Sequence, residues 1–236
     1  MKIQGYLREY PFLVQVYRLI DSRLQAIKNF VAEKSFVADI GADHGYLAIE
    51  LAQKKFCKVV ATDKNFFPAE AARKNISDAG LENFIEVRQG DGLKVLQVGE
   101  VDTICVAGMG GSLIAKILAD APEILNTTAR LILQPMNGAE ILKNFLTSSG
   151  WFVVDEDLAE EGGIIYEIIC AEKNFSDKQT KKETSPLLKK FLIQKQKKLL
   201  RVLEEMQKSP VAVQTEKFSK LKTELVDLEK KINSHT

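Results

Sequence analysis

The chain has 236 residues, 45% of them apolar and 28% charged, with a formal net charge of +1. This length suits one domain of roughly 150 to 180 residues with an appendage, or one large domain. The composition excludes a disordered or collagen-like chain. Charges interrupt the first thirty residues, and the longest uncharged run, 103–115, is too short to span a bilayer. We therefore expect a soluble cytoplasmic protein without a membrane segment.

The near-neutral total conceals two halves of opposite charge. Residues 1–177 hold 18 Lys and Arg against 25 Asp and Glu, a net of −7, whereas 178–236 hold 15 against 7, a net of +8. A basic half of this kind indicates contact with a polyanion, but a solvated lysine-rich helical surface has the same composition. Charge alone leaves both interpretations open.

Three cysteines, Cys57, Cys105 and Cys170, are odd in number and lack the spacing of metal ligands. Two of them lie in apolar runs that are typical of strands. We predict buried free thiols and expect no metal cofactor.

After an amphipathic N-terminal region, short apolar runs alternate with helical patterns. The sequence predicts a strand in SFVADIG, a helix from about His44, a strand in KVVATD and a helix in PAEAARKNISDAG, which Gly80 ends. It then predicts strands in FIEVRQGD and VDTICVAGMGG, a helix over about 112–120, a strand in ARLILQP and a helix over about 139–149. This alternation indicates a mostly parallel sheet with helices on both faces.

Two further strand-like runs, WFVVDEDLA and IIYEIICAE, have only EEGG between them and predict an antiparallel hairpin. A mostly parallel seven-stranded α/β sheet that ends in such a hairpin is a common outline of Rossmann-like class I methyltransferases. Dinucleotide-binding dehydrogenases more often end in another parallel strand. The predicted fold class is therefore the class I methyltransferase fold, with a helical appendage.

The appendage begins after a domain boundary that we place at residue 173, so that 1–173 form the methyltransferase domain and 174–236 a basic helical tail. Residues 174–185 are polar and predict a linker. Two sets of apolar residues then recur at helical spacing, the second as a heptad seam: Leu188, Leu192, Leu199, Val202 and Met206; Phe218, Leu221, Leu225, Leu228 and Ile232. The interruption at Ser209 and Pro210 predicts an antiparallel coiled-coil hairpin.

The glycine turn after the first predicted strand indicates which cofactor the domain binds. A dinucleotide-binding turn reads G-x-G-x-x-G, but the order here is Asp39, Gly41, Asp43 and Gly45. Asp43 places a carboxylate where a pyrophosphate would approach, and we expect this repulsion in a poorly solvated site to cost several kcal/mol. S-adenosyl-L-methionine has no phosphate and carries sulfonium and ammonium groups that carboxylates attract. The turn therefore favours this cofactor over a nicotinamide.

Acidic residues also end the next two predicted strands. Asp63 follows Gly41 by 22 residues, where a carboxylate typically accepts hydrogen bonds from both ribose hydroxyls, and Asp91 is placed to meet an adenine amino group. Each aspartate alone also suits a turn or a helix cap, but three at successive strand ends converge on one ligand. The predicted cofactor-binding residues are Asp39, Gly41, Asp43, His44, Gly45, Tyr46, Asp63, Lys64, Asp91, Gly92, Ala107 and Gly108.

Five motifs, ADIGADHGYLAIEL, EVRQGDGL, EVDTICVAGMGG, RLILQP and YEIICAE, resemble in order and spacing those of the TrmK family of bacterial tRNA methyltransferases. The likeness covers about 22–173 and includes a helical tail. It implies methyl transfer from S-adenosyl-L-methionine to N1 of adenosine 22 in the D-arm of tRNA.

A tRNA partner suits the basic tail, because one helical segment of the tail contains six cations and no acidic residue between them. Such cations contact phosphates, which positions RNA but does not select a base. The predicted RNA-binding residues are Lys189, Lys190, Lys195, Lys197, Lys198 and Arg201.

The predicted catalytic residues are Gly108, Met109, Asn137 and His44. Adenine N1 carries a lone pair and needs no general base, so positioning should dominate. Backbone carbonyls in AGMGG are placed to accept from the exocyclic amine, although the glycines are equally suited to opening the next helix. The family loop Q-P-N is replaced here by Q-P-M-N, which leaves open whether the loop shifts or Met136 supplies an apolar contact instead. His44 also suits capping, and Tyr46 and Tyr166 suit either base stacking or the core.

Two other functions stay open. One is a methyltransferase of the same fold that acts on a small molecule or a protein and dimerises through the coiled coil. The other is a non-catalytic RNA-binding scaffold with a vestigial cofactor site. The sequence does not fix the oligomeric state, with a monomer slightly favoured.

Overall fold

The computed structural model describes residues 20–173 and 185–234, so 1–19 of the predicted N-terminal region and almost all of the predicted linker lie outside the described residues. The described residues form two compact units, one of 20–162 with 166–173 and one of 163–165 with 185–234. Within these ranges no helix is long and apolar enough to cross a membrane.

The first unit alternates strands and helices after an initial helix α1, Ser22–Phe30. Its strands are β1 Phe36–Ile40, β2 Lys58–Asp63, β3 Ile85–Gln89, β4 Thr103–Met109, β5 Arg130–Pro135, β6 Phe152–Glu161 and β7 Ile164–Glu172. Its other helices are α2 Tyr46–Lys55, α3 Phe66–Asp78, α4 Gly111–Ala119, α5 Pro122–Thr127 and α6 Ala139–Ser148, with a 3-10 turn at Gly92–Val95. The sequence patterns did not indicate α5 or the 3-10 turn, because neither is long enough to show a helical period.

The seven strands form one sheet in the order β3-β2-β1-β4-β5-β7-β6. The pairs among β1 to β5 are parallel, whereas β7 runs antiparallel to β5. The predicted mostly parallel sheet and its terminal hairpin are confirmed. Because the first five strands are parallel, the loops that follow them meet at one edge of the sheet.

Apolar residues cover both faces of the sheet. Along β1, Val37 packs in one core cluster, and Ala38 and Ile40 pack in the other. Burial on both faces explains why the central strands read as continuous apolar runs rather than as alternating patterns. The three cysteines are buried and unbonded to one another, as predicted.

Polar contacts attach α1 to the rest of the unit. At its start the Ser22 hydroxyl and N–H both donate to the Glu161 carboxylate, at 3.0 and 3.1 Å. Nearer its end Lys28 Nζ lies 2.9 Å from the Glu50 carboxylate of α2, and both side chains are largely buried. A paired, buried charge of this kind is costly to break, so α1 is held in one position.

The helical unit contains α7, Leu188–Gln207, and α8, Glu216–Ser234, which pack on each other around Leu199, Leu203 and Phe218. The apolar repeat predicted for α7 includes Val202, but Val202 is 39% exposed, and its neighbour Leu203, which is 5% exposed, packs in the seam between the helices instead. The steps from Leu192 to Leu199 to Leu203 return to one helix face, and a shift of one residue turns a side chain by about 100°.

Leu203→Ala is expected to destabilise the helical unit by about 2 to 4 kcal/mol, because it leaves a cavity between the helices. Val202→Ala is the matched control on the exposed face and is expected to cost less than about 0.5 kcal/mol. Amide hydrogen exchange of α7 and α8 in the full-length protein measures both effects. Equal losses of protection would contradict the placement of Leu203 in the seam.

Candidate active site

A cavity of about 700 Å³ opens at the carboxyl ends of β1, β2 and β4. This volume is in the range of cavities that hold cofactors and other small ligands. Eleven of the twelve predicted cofactor-binding residues line it, namely Asp39, Gly41, Asp43, His44, Tyr46, Asp63, Lys64, Asp91, Gly92, Ala107 and Gly108. Their roles in binding stay predictions, but the sheet does bring them together.

The turn after β1 has left-handed backbone at Gly41, Asp43 and Gly45, with φ of 74°, 51° and 72°. Aspartate tolerates this conformation better than most residues, so Asp43 keeps the backbone of a glycine and adds a carboxylate. The N–H groups of Gly41 and Ala42 both donate to the Thr62 carbonyl at 2.8 Å. The turn is therefore tied to the end of β2.

Two glycines of this turn permit close packing. A Cβ at Gly41 would collide with the terminal methyl of Met109, a residue that also lines the cavity. A Cβ at Gly45 would lie 3.3 Å from the Ala72 side chain. Gly45 is buried and does not line the cavity, so it serves the packing of α2 against α3 rather than ligand contact.

Asp39 is a buried carboxylate at the centre of the sheet, where it pairs in register with Ala61 and Cys105. Burial raises its pKa to about 7; a hydrogen bond from the Ala48 backbone opposes this rise, and the nearby charge of Asp63 adds to it. Its Oδ2 has no hydrogen-bond partner among the described residues. A buried anion with an unpartnered oxygen is costly unless a cation or donor binds it.

The prediction that Asp43 is the poorly solvated carboxylate was wrong. The Asp43 side chain is 67% exposed, because residue 43 lies in a surface turn whereas residue 39 lies inside the sheet. The desolvated carboxylate beside the cavity is therefore Asp39.

Asp63 joins two loops at the cavity wall. Its Oδ1 accepts from the Asn65 N–H at 2.9 Å, and its Oδ2 accepts from the Asp43 N–H at 3.3 Å. Since a carboxylate has about four lone-pair positions, Asp63 retains acceptor capacity for a ligand hydroxyl.

Asp91 is exposed and lies between two lysines at the cavity rim. Lys94 Nζ donates to it at 2.9 Å, and Lys64 Nζ lies 3.5 Å away. The hydrogen bond from Lys94, with the charges of both lysines, holds the pKa of Asp91 below its usual value. The carboxylate is therefore ionised at neutral pH.

His44 and Tyr46 form a stacked pair, with ring centroids 5.4 Å apart and planes 17° apart. The His44 Nε2 lies 3.7 Å from the Asp43 carboxylate, and the side chains of both residues are at least half exposed. Both aromatic residues line the cavity rather than the core.

The loops after β4 and β5 are joined by backbone hydrogen bonds. The Met136 N–H donates to the Met109 carbonyl, and the Gly111 N–H donates to the Asn137 carbonyl, both at 2.8 Å. A Cβ on Gly110 would lie 3.2 Å from the Asn137 side-chain oxygen, so Asn137 borders the loop. Asn137 does not line the cavity, and its catalytic role stays a prediction.

The structure adds residues that the sequence analysis missed. Asp21, Arg23 and Leu24 line the cavity from the start of α1. Arg23 lies with its guanidinium carbon 5.8 Å from the Tyr166 ring centroid and donates to the fully buried Gln134 at 3.0 Å. Gln134 could have been identified from the sequence, because it is a polar residue that directly follows the apolar run LIL of a central strand. No local sequence pattern indicates that Arg23 reaches the cavity.

The six predicted RNA-binding cations all lie on α7. Lys190, Lys197 and Arg201 are exposed and, by their seven- and four-residue steps, share the face opposite the leucine seam. Lys198 lies beside this face, whereas Lys189 and Lys195 lie nearer the leucine seam, and Lys195 Nζ lies 5.6 Å from the Phe191 ring centroid. Among the residues that the structure describes, no cluster of three potential metal ligands occurs.

The strand order, the reversed β7 and the carboxylate-lined cavity at the carboxyl edge define a class I methyltransferase. A model of the methyltransferase domain matches residues 20–169. The tRNA (adenine(22)-N(1))-methyltransferase of Bacillus subtilis is 37% identical over 159 residues, which are 67% of this chain and 67% of that protein. The chain belongs to the TrmK family of bacterial tRNA (adenine-22 N1)-methyltransferases.

Solved structures show the same relationship. A Streptococcus pneumoniae protein described as a candidate tRNA (m1A22) methyltransferase has a TM-score of 0.78 and 31% identity, over 91% of this chain and 100% of that chain. Its complex with S-adenosyl-L-methionine has a TM-score of 0.73 and 34% identity, over 88% of this chain and 100% of that chain.

Asp39→Asn is expected to stabilise the unliganded α/β unit more at pH 8 than at pH 5. The folded state keeps the Asp39 proton up to a pKa of about 7, whereas an unfolded aspartate releases it near 3.8, so the stability of the wild type falls as pH rises through this window. Between pH 5 and pH 8, the stability advantage of Asp39→Asn over the wild type, measured as the free energy of unfolding, is expected to rise by about 2 to 3 kcal/mol.

Urea unfolding followed through the single tryptophan, the buried Trp151, reports on this unit alone. Asp43→Asn in the exposed turn is the control. A pH-independent difference between wild type and Asp39→Asn would show that the buried carboxylate does not carry the predicted proton linkage.

Proposed function

We propose that the chain transfers the methyl group of S-adenosyl-L-methionine to N1 of adenosine 22 in the D-arm of tRNA. The observation that carries the proposal is the buried carboxylate of Asp39 beside the glycine turn, one oxygen of which has no hydrogen-bond partner among the described residues. It occurs in a chain that is 37% identical to the tRNA (adenine(22)-N(1))-methyltransferase of Bacillus subtilis.

The residues that line the cavity fit this cofactor. Asp39 has an oxygen without a partner among the described residues and a pKa that burial raises, so a ligand ammonium or sulfonium would favour its ionised form. Gly41 has no side chain, and the terminal methyl of Met109 occupies the space that a Cβ there would fill. A pyrophosphate would instead meet the carboxylates of Asp39, Asp43 and Asp63.

S-adenosyl-L-methionine, when bound, supplies an electrophilic methyl group on a sulfonium. In this proposal Asp39 attracts its cationic end, Asp63 accepts from its ribose hydroxyls, and Asp91 meets its adenine amino group. His44, Tyr46 and Lys64 complete the walls of the cavity. The chain's contribution is to hold these groups in place, which removes on the order of 7 to 11 kcal/mol when two reacting centres are well oriented.

The target adenine requires hydrogen-bond acceptors and a cavity that can hold it, but no side chain that removes a proton. Adenine N1 already carries a lone pair, and its N6 amine is a donor, so carbonyl oxygens in the loop 107–111 distinguish it from guanine, which presents N1–H and O6 there. A base must leave its stack to enter such a site, at a cost of a few kcal/mol. The half-exposed Met136 and the bordering Asn137 lie beside this loop, which favours both as contacts of the base.

The basic face of α7 supplies the attraction for tRNA. Residues 188–207 contain six cations and two acids, whereas 216–234 contain five cations and four acids, so the two helices differ in their capacity for phosphates. A tRNA substrate also assigns the chain to the bacterial cytoplasm. A monomer is the favoured state of the proposed enzyme, because one chain carries every residue that the proposal uses.

Methylation of two tRNA transcripts tests the proposal. The purified protein with labelled S-adenosyl-L-methionine is expected to label a transcript with adenosine at position 22 and not one with guanosine there, because guanine N1 is protonated. Mapping the label to N1 of that adenosine completes the assignment.

A cofactor-induced rise in the unfolding temperature serves as the control for an intact site. If the cofactor stabilises the protein but neither transcript is labelled, the tRNA assignment fails, and a small-molecule or protein substrate or a non-catalytic scaffold takes its place. If the cofactor has no effect, the assignment of the cavity itself fails.

Replacing Lys190, Lys197 and Arg201 by glutamine is expected to weaken tRNA binding without changing affinity for the cofactor. Each lost phosphate contact lowers the slope of log affinity against log salt by about 0.7 to 0.9, so the slope should fall by about 2 to 3. The charge-matched control replaces Lys217, Lys220 and Lys230 of α8, which carries more acidic residues. Equal slopes for the two variants would show that the charge of the tail, rather than the α7 face, attracts tRNA.

A further inference from the structure

The end of β4 contains a β-bulge at a residue that lines the cavity. Ala107 pairs with Gln134 and Met109 pairs with Pro135, so Gly108 is the extra residue between two ladder positions. The extra residue of a bulge has no partner in the ladder, and bulges are common beside active sites. Gly108 also has a left-handed backbone, with φ of 76°.

The N–H of Gly108 finds a side-chain acceptor instead. It donates to Oε1 of Gln134 at 3.0 Å, and Nη1 of Arg23 donates to the same oxygen at 3.0 Å. Because both neighbours are donors, the amide oxygen and not the nitrogen must face them, and its two lone pairs are both used. The amide nitrogen lies 3.8 Å from the sulfur of Met136. Gln134 is fully buried, so no water competes for these contacts.

Arg23 is itself held in place. Its guanidinium lies 3.3 Å from the Asp21 carboxylate, and its centre is 5.8 Å from the Tyr166 ring centroid. The contacts of Ser22 and Lys28 fix α1, the helix that carries Arg23. An unbroken series of hydrogen bonds therefore leads from α1 through Gln134 to the bulge.

We propose that Gln134, held by Arg23, is a positioning residue that fixes the Gly108 peptide against the target adenine. The inference rests on the proposed function, in which the loop 107–111 receives the base. Glycine is the most permissive residue, so the Gly108 peptide has no conformational preference of its own to hold it in one orientation. The acceptor in Gln134 replaces the missing ladder bond and supplies that constraint.

Two nearly isosteric variants separate this role from simple packing. Gln134→Met fills the same volume but removes the acceptor, whereas Gln134→Glu keeps oxygen acceptors for both Gly108 and Arg23. The Met variant is expected to lose about 10- to 100-fold in kcat on tRNA, since displacements near 1 Å have effects of this size. Its affinity for S-adenosyl-L-methionine and its KM for tRNA are expected to stay within about threefold of the wild type, because the cavity aspartates and the basic face of α7, which supply most of the attraction for the two ligands in the proposed function, are unchanged. The Glu variant is expected to recover most of the lost kcat.

Amide hydrogen exchange in the segment 107–111 provides a readout that does not need tRNA. Exchange is expected to accelerate in Gln134→Met and to remain slow in Gln134→Glu. Equal kcat in wild type and Gln134→Met, equal losses in both variants, or a parallel loss of cofactor affinity would overturn the positioning role. A wild type that binds cofactor but methylates no tRNA would overturn the proposed function instead. Hydrogen exchange alone would then test whether Gln134 holds the bulge. Equal exchange rates of the segment 107–111 in the wild type and both variants would show that it does not.

Discussion

A buried carboxylate at the end of a central strand is the constraint on which the site depends. Asp39 stands between β2 and β4, where water does not reach it, and one of its oxygens has no partner among the described residues. Folding alone gives no reason to keep an acid there, because an apolar or amide side chain would be cheaper to bury. In the proposed function a cationic ligand completes the hydrogen bonding of the carboxylate, which would offset the cost of burying it.

The loops around Asp39 are held mainly through hydrogen bonds that their backbone N–H groups donate. The turn after β1 donates twice to Thr62, and Asp63 accepts from the N–H groups of Asp43 and Asn65. On the other side of the cavity, the loops after β4 and β5 exchange backbone hydrogen bonds, and Gln134 satisfies the N–H that the bulge leaves over. Backbone bonds of this kind fix the walls before any ligand arrives, which is the condition for catalysis by positioning.

Sequence periodicity was sufficient for the order of the strands and the longer helices between them, because strands buried on both faces and amphipathic helices leave distinct patterns. It also predicted which residues gather at the carboxyl edge, since strand ends in a parallel sheet share one side. Periodicity did not predict which carboxylates are exposed to solvent. Asp39 and Asp43 belong to the same motif, and only the three-dimensional structure shows that Asp39 is buried and Asp43 is exposed. One position of the α7 repeat was wrong, with Val202 in place of Leu203, because both residues are apolar. Arg23 reaches the site from a distant segment, and no local pattern encodes such a contact.

The opposite charges of the two halves follow from the proposed ligands. A cofactor with sulfonium and ammonium groups favours carboxylates around its cavity, and residues 1–177 accordingly carry a net charge of −7. Those same carboxylates repel a polyanion such as tRNA, so attraction has to come from elsewhere in the chain. Residues 178–236 supply a net charge of +8, with three cations on the α7 face opposite its apolar seam. A chain that binds a cation and a polyanion at once benefits from placing the two charges in separate units, because each unit can then be optimised without weakening the other.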